Sequence, residues 1–221
     1  MTLSNKHISY WEVAIVLLVA LGNPILASLG MVFGDETISG FTNLSGSHLI
    51  YMIIYELMIL GIVAFFLKGR GWTLADLNLE CNWRLTIAGL GLALCCVFLT
   101  TILHYTLNAL GTTPPPSVLH YKHGDWDLLP IIGISTVNPI FEETIVIGYI
   151  MGVFLKADDP TRAVNISVGV RVLYHLYQGI AGIITIVPMG LIFSYYYYKR
   201  RKLWPLIFAH GVMDFIALVN M

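Results

Sequence analysis

The sequence predicts an all-α fold, a polytopic transmembrane helical bundle of about seven spanning helices. Three observations carry this. Hydrophobic residues make up 57% of the 221 residues and charged residues only 11%. An ordinary soluble domain is about 25% charged, so polar surface is too scarce here to solvate a globule of this size. Apolar stretches recur at roughly 17–25 residues, the length that crosses a hydrocarbon core. Basic residues collect on alternate connections between those stretches, as they do in multi-pass proteins. Disordered, collagen-like and soluble globular classes are excluded.

The first stretch, 11–33, lacks a small-residue cleavage site and reads as a retained helix. The second, 47–67, runs into Phe66-Leu67-Lys68-Gly69-Arg70-Gly71. The third and fourth, 84–110 and 128–155, are long and expected to tilt or extend beyond the bilayer. Thr113-Pro114-Pro115-Pro116 opens the longest loop, between them, and its prolines forbid helix. Asp158-Asp159-Pro160 breaks the chain before the fifth stretch, 161–178, which is followed by 182–198 and 203–220. No internal repeat is visible. Residues 1–127 supply three helices with their loops, and residues 128–221 the core helices of what reads as one bundle.

Charge placement sets an expected orientation in the cell membrane. With the N-terminus cytoplasmic, that side holds Lys6, Lys68, Arg70, Arg84, Lys156, Arg162, Lys199, Arg200, Arg201 and Lys202, ten of the twelve basic residues. The other side holds Lys122 beside Asp35, Glu36, Asp125 and Asp127, and Arg171 lies within a helix. Seven spans then put the C-terminus outside. Tyr195–Tyr198 and Trp204 flank the Lys199–Lys202 cluster as an interfacial belt, so the cluster reads as a topology signal. A net charge of −1 leaves no basic domain for nucleic acid. Cys81, Cys95 and Cys96 form no CxxC, which argues against a disulfide framework or a zinc knuckle.

An ionisable side chain in a spanning helix costs about 2.5–3.5 kcal/mol on insertion scales, so such residues mark function. They are Glu56, His104, Glu142, Glu143, Arg171, His175, His210 and Asp214. Glu142 and Glu143 follow Asn138-Pro139 in the fourth stretch, and the proline is expected to kink it. Two adjacent carboxylates in a low dielectric cannot both ionise cheaply unless a cation is near, which is how a general base is prepared. Arg171 and His175 lie four apart, hence on one helical face, with Gln178 continuing it. Arg171 is the one buried cation that is always charged, and pairing it with Glu143 or Glu142 would relieve the bundle's worst energetic problem. His210 and Asp214 share a face in the same way, the carboxylate fixing the imidazole. Nothing in the sequence clusters around Glu56 and His104, which read as packing residues that pair with each other or line a water-filled cavity.

Glu-Glu, then His, then His-x-x-x-Asp, each on its own helix, resembles the CPBP family, the CAAX-protease and bacteriocin-processing intramembrane proteases. The strings are Phe141-Glu142-Glu143-Thr144-Ile145-Val146-Ile147-Gly148-Tyr149, Arg171-Val172-Leu173-Tyr174-His175-Leu176-Tyr177-Gln178-Gly179, and Leu203 to Asp214. Two positions depart from the family pattern: Ile147 stands where an Arg is usual and Arg171 where a Phe is usual. The two changes compensate if the fourth and fifth helices are packed together. The resemblance implies an intramembrane endopeptidase acting on a membrane-associated or lipidated protein or peptide. Glu142 would activate water with help from His175, His210 and Asp214 would stabilise the oxyanion, and Glu143 and Arg171 would support. A divalent metal such as zinc on Glu142, His175 and His210 is the open alternative, since two His and a carboxylate form a known catalytic zinc set.

There is no His-Glu-x-x-His and no Gly-x-Ser-x-Gly, so the corresponding zincin and serine mechanisms are unsupported. Two other functions compete: a non-catalytic immunity or chaperone-like membrane protein of the same fold, and a proton or metal transporter. The transporter ranks last because neither repeated halves nor paired broken helices are present. One geometric condition must be met. On straight helices His175 falls near the outer end of its span while Glu142 is central, a difference of roughly 10 Å at 1.5 Å per residue.

Overall fold

The computed structural model describes residues 10–33, 43–112, 120–121 and 128–221. Lys6, Asp35, Glu36, the Thr113–Pro116 prolines, Lys122, Asp125 and Asp127 lie outside the described residues, and with them the outer half of the charge asymmetry. The chain is α-helical, with a two-residue parallel pairing of β1 (Asn43–Leu44) and β2 (His120–Tyr121) between connections.

The helices are α1 (Tyr10–Phe33), α2 (Gly46–Gly69), α3 (Trp83–Ala109), α4 (Leu128–Glu142), α5 (Gly152–Lys156), α6 (Pro160–His175), α7 (Gly179–Arg200) and α8 (Trp204–Val219). A π-helical stretch, Glu143–Met151, joins α4 to α5 without a break. Their limits follow from local chemistry. The Asn82 side chain accepts the Leu85 N–H and starts α3. Asp159 does the same for the Arg162 N–H, with Pro160 at the first position of α6.

Among the described residues, five helical stretches are long and apolar enough to cross a membrane: Tyr10–Phe33, Gly46–Gly69, Trp83–Ala109, Leu128–Lys156 and Pro160–Arg200. The protein is a multi-pass membrane protein. The expected fifth and sixth spans are the two halves of the last stretch. They are divided by a 3-10 turn at Leu176–Gln178 and by Gly179 at φ +68°, a backbone angle that suits glycine. The halves fold back on each other, since Ser167 meets Ser194 (Oγ–Oγ 3.3 Å) while the Arg171 guanidinium lies over the Phe193 ring. Here Gln178 departs from expectation. It lies in the turn and donates to the Tyr177 hydroxyl at 3.2 Å instead of continuing the Arg171–His175 face. The expected seventh span is α8, whose 16 residues make it shorter than the others, roughly 24 Å at 1.5 Å per residue.

Ion pairs gather the basic connections at one end of the bundle. Arg70 pairs with Glu12 of α1, Lys156 Nζ lies 3.3 Å from Asp76 Oδ1, and Lys202 Nζ lies 2.6 Å from Glu80 Oε2. Asp76 and Glu80 both belong to the α2–α3 connection, so three separate basic segments meet there. The Lys202–Glu80 pair, whose carboxylate is exposed, contributes little stability. The bulk comes from one apolar core, with buried residues such as Val16, Val63, Cys96, Ile150, Phe193 and Leu206 drawn from α1, α2, α3, the π stretch, α7 and α8.

Pro139 lies inside α4 and, lacking an N–H, gives the Ser135 carbonyl no helical partner. Gly211 of α8 fits against that carbonyl. A Cβ at position 211 would lie 2.5 Å from the Ser135 oxygen. Gly89 of α3 makes a similar approach on another side, where a Cβ would lie 2.7 Å from the Pro205 oxygen. Small residues thus let α8 close on both neighbours, as helices in lipid commonly do. Because the obstacle at position 211 is backbone, Gly211→Val is expected to cost at least the 1–3 kcal/mol typical of overpacking, roughly. Thermal unfolding in detergent micelles measures this, and an unchanged midpoint would contradict the close approach.

Candidate active site

Leu128–Lys156 is the most buried of the spans. Glu142 ends α4 and Glu143 begins the π stretch, so the acidic pair sits where the helix widens. Single π insertions are often found at functional sites. Both carboxylates are buried, Glu143 completely.

Arg171, fully buried on α6, places Nη2 2.8 Å from Glu143 Oε2 and Nη1 3.5 Å from Glu142 Oε2. One guanidinium therefore faces both acids, as its planar fork permits. Ile147 is also fully buried, and the cation beside the acids comes from α6 and not from the helix bearing them. From α8, His210 Nδ1 lies 2.7 Å from Glu143 Oε1, and Nε2 lies 3.4 Å from Asp214 Oδ1. Each ring nitrogen thus faces a carboxylate oxygen. The Nδ1 contact is short and buried, whereas Asp214 is only half-buried and its contact is long.

The two acids are held differently. Glu143 is taken up by Arg171 and His210 through both oxygens. Glu142 accepts from the Tyr174 hydroxyl at 2.7 Å on Oε2 and from Asn138 Nδ2 at 3.2 Å on Oε1, and its approach to Arg171 is the longer one. His175 presents Nδ1 to the Arg171 carbonyl at 3.0 Å, and its ring lies against that of Tyr174, centroids 4.4 Å apart. A carbonyl only accepts, so the hydrogen is on Nδ1 and Nε2 of the neutral ring carries the lone pair.

Of the residues the depth condition concerns, Glu142 and His210 come together. Ligand atoms of Glu142, Glu143 and His210 lie within 4.8 Å of one another. Among the described residues His175 is not part of this trio. It joins the site through Arg171 and Tyr174.

The donor set fits a divalent cation poorly. A permanently charged guanidinium already lies against both carboxylates, and His210 has a carboxylate at each nitrogen. A metal would have to share a low-dielectric pocket with that cation, where like charges a few Å apart repel strongly.

Two site residues were not identified from the sequence, and a third, Glu56, was read as a packing residue. Tyr174 precedes His175, and only the turn of α6 shows that it reaches Glu142. Asn138 had a usable signal, since it lies four residues before Glu142 and so on the same face. Glu56 had none. It is buried on α2 and accepts from Asn138 Nδ2 at 3.0 Å, not from His104 on α3, which corrects the pairing expected for it.

Residues 124–216 match the family model described as type II CAAX prenyl endopeptidase Rce1-like. No curated protein and no solved structure matches the chain.

Proposed function

Because residues 124–216 fall within the CAAX-protease family, we propose that this multi-pass protein is an intramembrane endopeptidase that hydrolyses a membrane-associated or lipidated peptide through glutamate-activated water. The observation that carries this reading is the convergence of Glu142, Glu143, Arg171 and His210 from three helices on one buried point. Packing alone gives no reason to bury so many ionisable groups together.

Glu142 is the base. Its partner Glu143 is committed to Arg171 and His210, which leaves Glu142 as the acid able to take a proton from water. The lone pair of His175 Nε2 accepts the water's second hydrogen and aims the oxygen. Hydroxide adds to the substrate carbonyl, and the negative charge moves onto the carbonyl oxygen. His210 Nε2–H stabilises that oxyanion by exchanging its long contact with Asp214 for the new acceptor, while Glu143 keeps the ring in place through Nδ1. The proton held by Glu142 then passes to the departing amine as the C–N bond breaks. Arg171 offsets the charge of both acids throughout. In view of its cation, no metal takes part.

An apolar groove of about 340 Å³ between α4 and α8 suits a membrane-associated substrate, with Ile132, Ile140, Ile207, Phe208 and Phe215 among its walls. Gly211, next to His210, also lines it. The basic connections gathered at one end support the reading in which the N-terminus is cytoplasmic and the C-terminus outside.

Purified protein in proteoliposomes, incubated with lipidated and membrane-embedded peptides and read by mass spectrometry, tests this. New peptide termini are expected, in undiminished yield with a strong chelator. No product from any membrane-associated peptide would sink the peptidase reading. Loss with chelator, restored by zinc, would sink the metal-free mechanism.

A further inference from the structure

We propose that Glu56 is a positioning residue for this reaction, acting through Asn138 to fix the orientation of Glu142. The proposal rests on the peptidase reading above. Glu56 lies on α2, a helix with no other polar link to the site among the contacts described. Its Oε1 accepts from Asn138 Nδ2 at 3.0 Å, and the same nitrogen donates to Glu142 Oε1 at 3.2 Å.

A side-chain amide nitrogen carries two hydrogens. Here both go to carboxylate oxygens, one on either side. Flipping the amide would turn its oxygen toward two acceptors, so the chemistry permits one orientation. Without Glu56, one hydrogen would be left unpaired in an apolar interior, and Asn138 would regain the freedom to turn away from Glu142. The base would then be held at Oε2 by Tyr174 and Arg171 alone.

The requirement is an acceptor at this place, not bulk. Glu56 is buried, its Oε2 has no hydrogen-bond partner among the described residues, and an acid is the costly choice for filling space in a spanning helix. Its role is felt through Glu142, which it reaches by way of Asn138.

The test compares Glu56→Leu, Glu56→Gln, Asn138→Leu and the Glu56→Leu/Asn138→Leu double variant in the proteoliposome assay, each normalised to folded protein. Glu56→Leu is expected to lower kcat on the order of 10–100-fold, the range seen when a supporting partner is lost. KM should stay within about twofold, because substrate binding is untouched. Glu56→Gln, which still offers a carbonyl oxygen, should keep activity within about threefold. The double variant should be no worse than Asn138→Leu alone, as expected of residues acting in series. A Glu56→Leu enzyme as fast as wild type, a Gln variant as slow as the Leu variant, or multiplicative losses in the double variant would each overturn the proposal.

A second readout serves if Glu56→Leu does not fold. The ¹⁵N-labelled side-chain amide of Asn138 in wild-type protein should show two hydrogen-bonded protons, one of which shifts in Glu56→Gln. An amide spectrum indifferent to Glu56→Gln also overturns the proposal. If wild-type protein cleaves nothing, the peptidase reading has failed instead, and the amide spectrum still decides whether Glu56 holds Asn138.

Discussion

Glu142→Gln is expected to lower peptide hydrolysis by about 10²–10⁴-fold, the usual worth of a general base, while leaving the bundle folded. The substitution keeps shape and retains an oxygen for the Tyr174 hydroxyl. It removes the group that takes the water's proton. The new amide cannot accept from Asn138 at the second position, which costs about 1–2 kcal/mol for a mismatched buried contact. Arg171 keeps its closer partner, Glu143, so the buried cation is not stranded. Turnover and the unfolding midpoint, measured in one detergent, separate the two effects. A Gln variant that hydrolyses peptide within a fewfold of wild type would show that Glu142 is not the base.

Arg171→Met is expected to have the largest effect on stability, about 3–5 kcal/mol, as when one member of a buried ion pair is removed. Two carboxylates would remain in the apolar interior without a fixed positive charge, and His210 alone would face Glu143. Arg171→Lys should recover part of the loss. An ammonium is a point charge and cannot present a planar fork to both acids. Adding Glu143→Gln to Arg171→Met should cost less than the sum of the two single changes, because the second relieves what the first strands. Unfolding in a graded detergent series reads all four variants against wild type. An Arg171→Met protein as stable as wild type would mean that the guanidinium is not what keeps the acids in place.

Much of the fold is legible in the sequence because length and apolarity are local properties. The starts and ends of 11–33, 47–67, 84–110 and 128–155 fall within two residues of the observed elements. The 161–178 stretch runs too far because Tyr177 and Gln178 do not betray the 3-10 turn that ends α6. In the site, Arg171 with the acid pair and His210 with Asp214 could be read from spacing and charge economy. Which acid the guanidinium approaches more closely could not, since that depends on the widened turn at Glu143, and a π stretch leaves no mark in composition. Glu56 and Asn138 are 82 residues apart, and nothing local connects them. Tyr174 was legible only as an aromatic neighbour, because whether a tyrosine packs or donates depends on where its hydroxyl ends.

The helix that carries the acids is the least apolar of the five long spans as well as the most buried. This bears on biogenesis. As the ribosome delivers the chain, Leu128–Lys156 emerges before Arg171 and His210 have been made. The segment must therefore leave the translocon with two carboxylates whose partners do not yet exist, at about 2.5–3.5 kcal/mol for each charge near its centre. α2 is already synthesised by then, but it offers another acid, not a cation. Firm lodging of this span is thus deferred until α6 and α8 arrive, and membrane integration becomes a late, cooperative event that the site residues themselves complete.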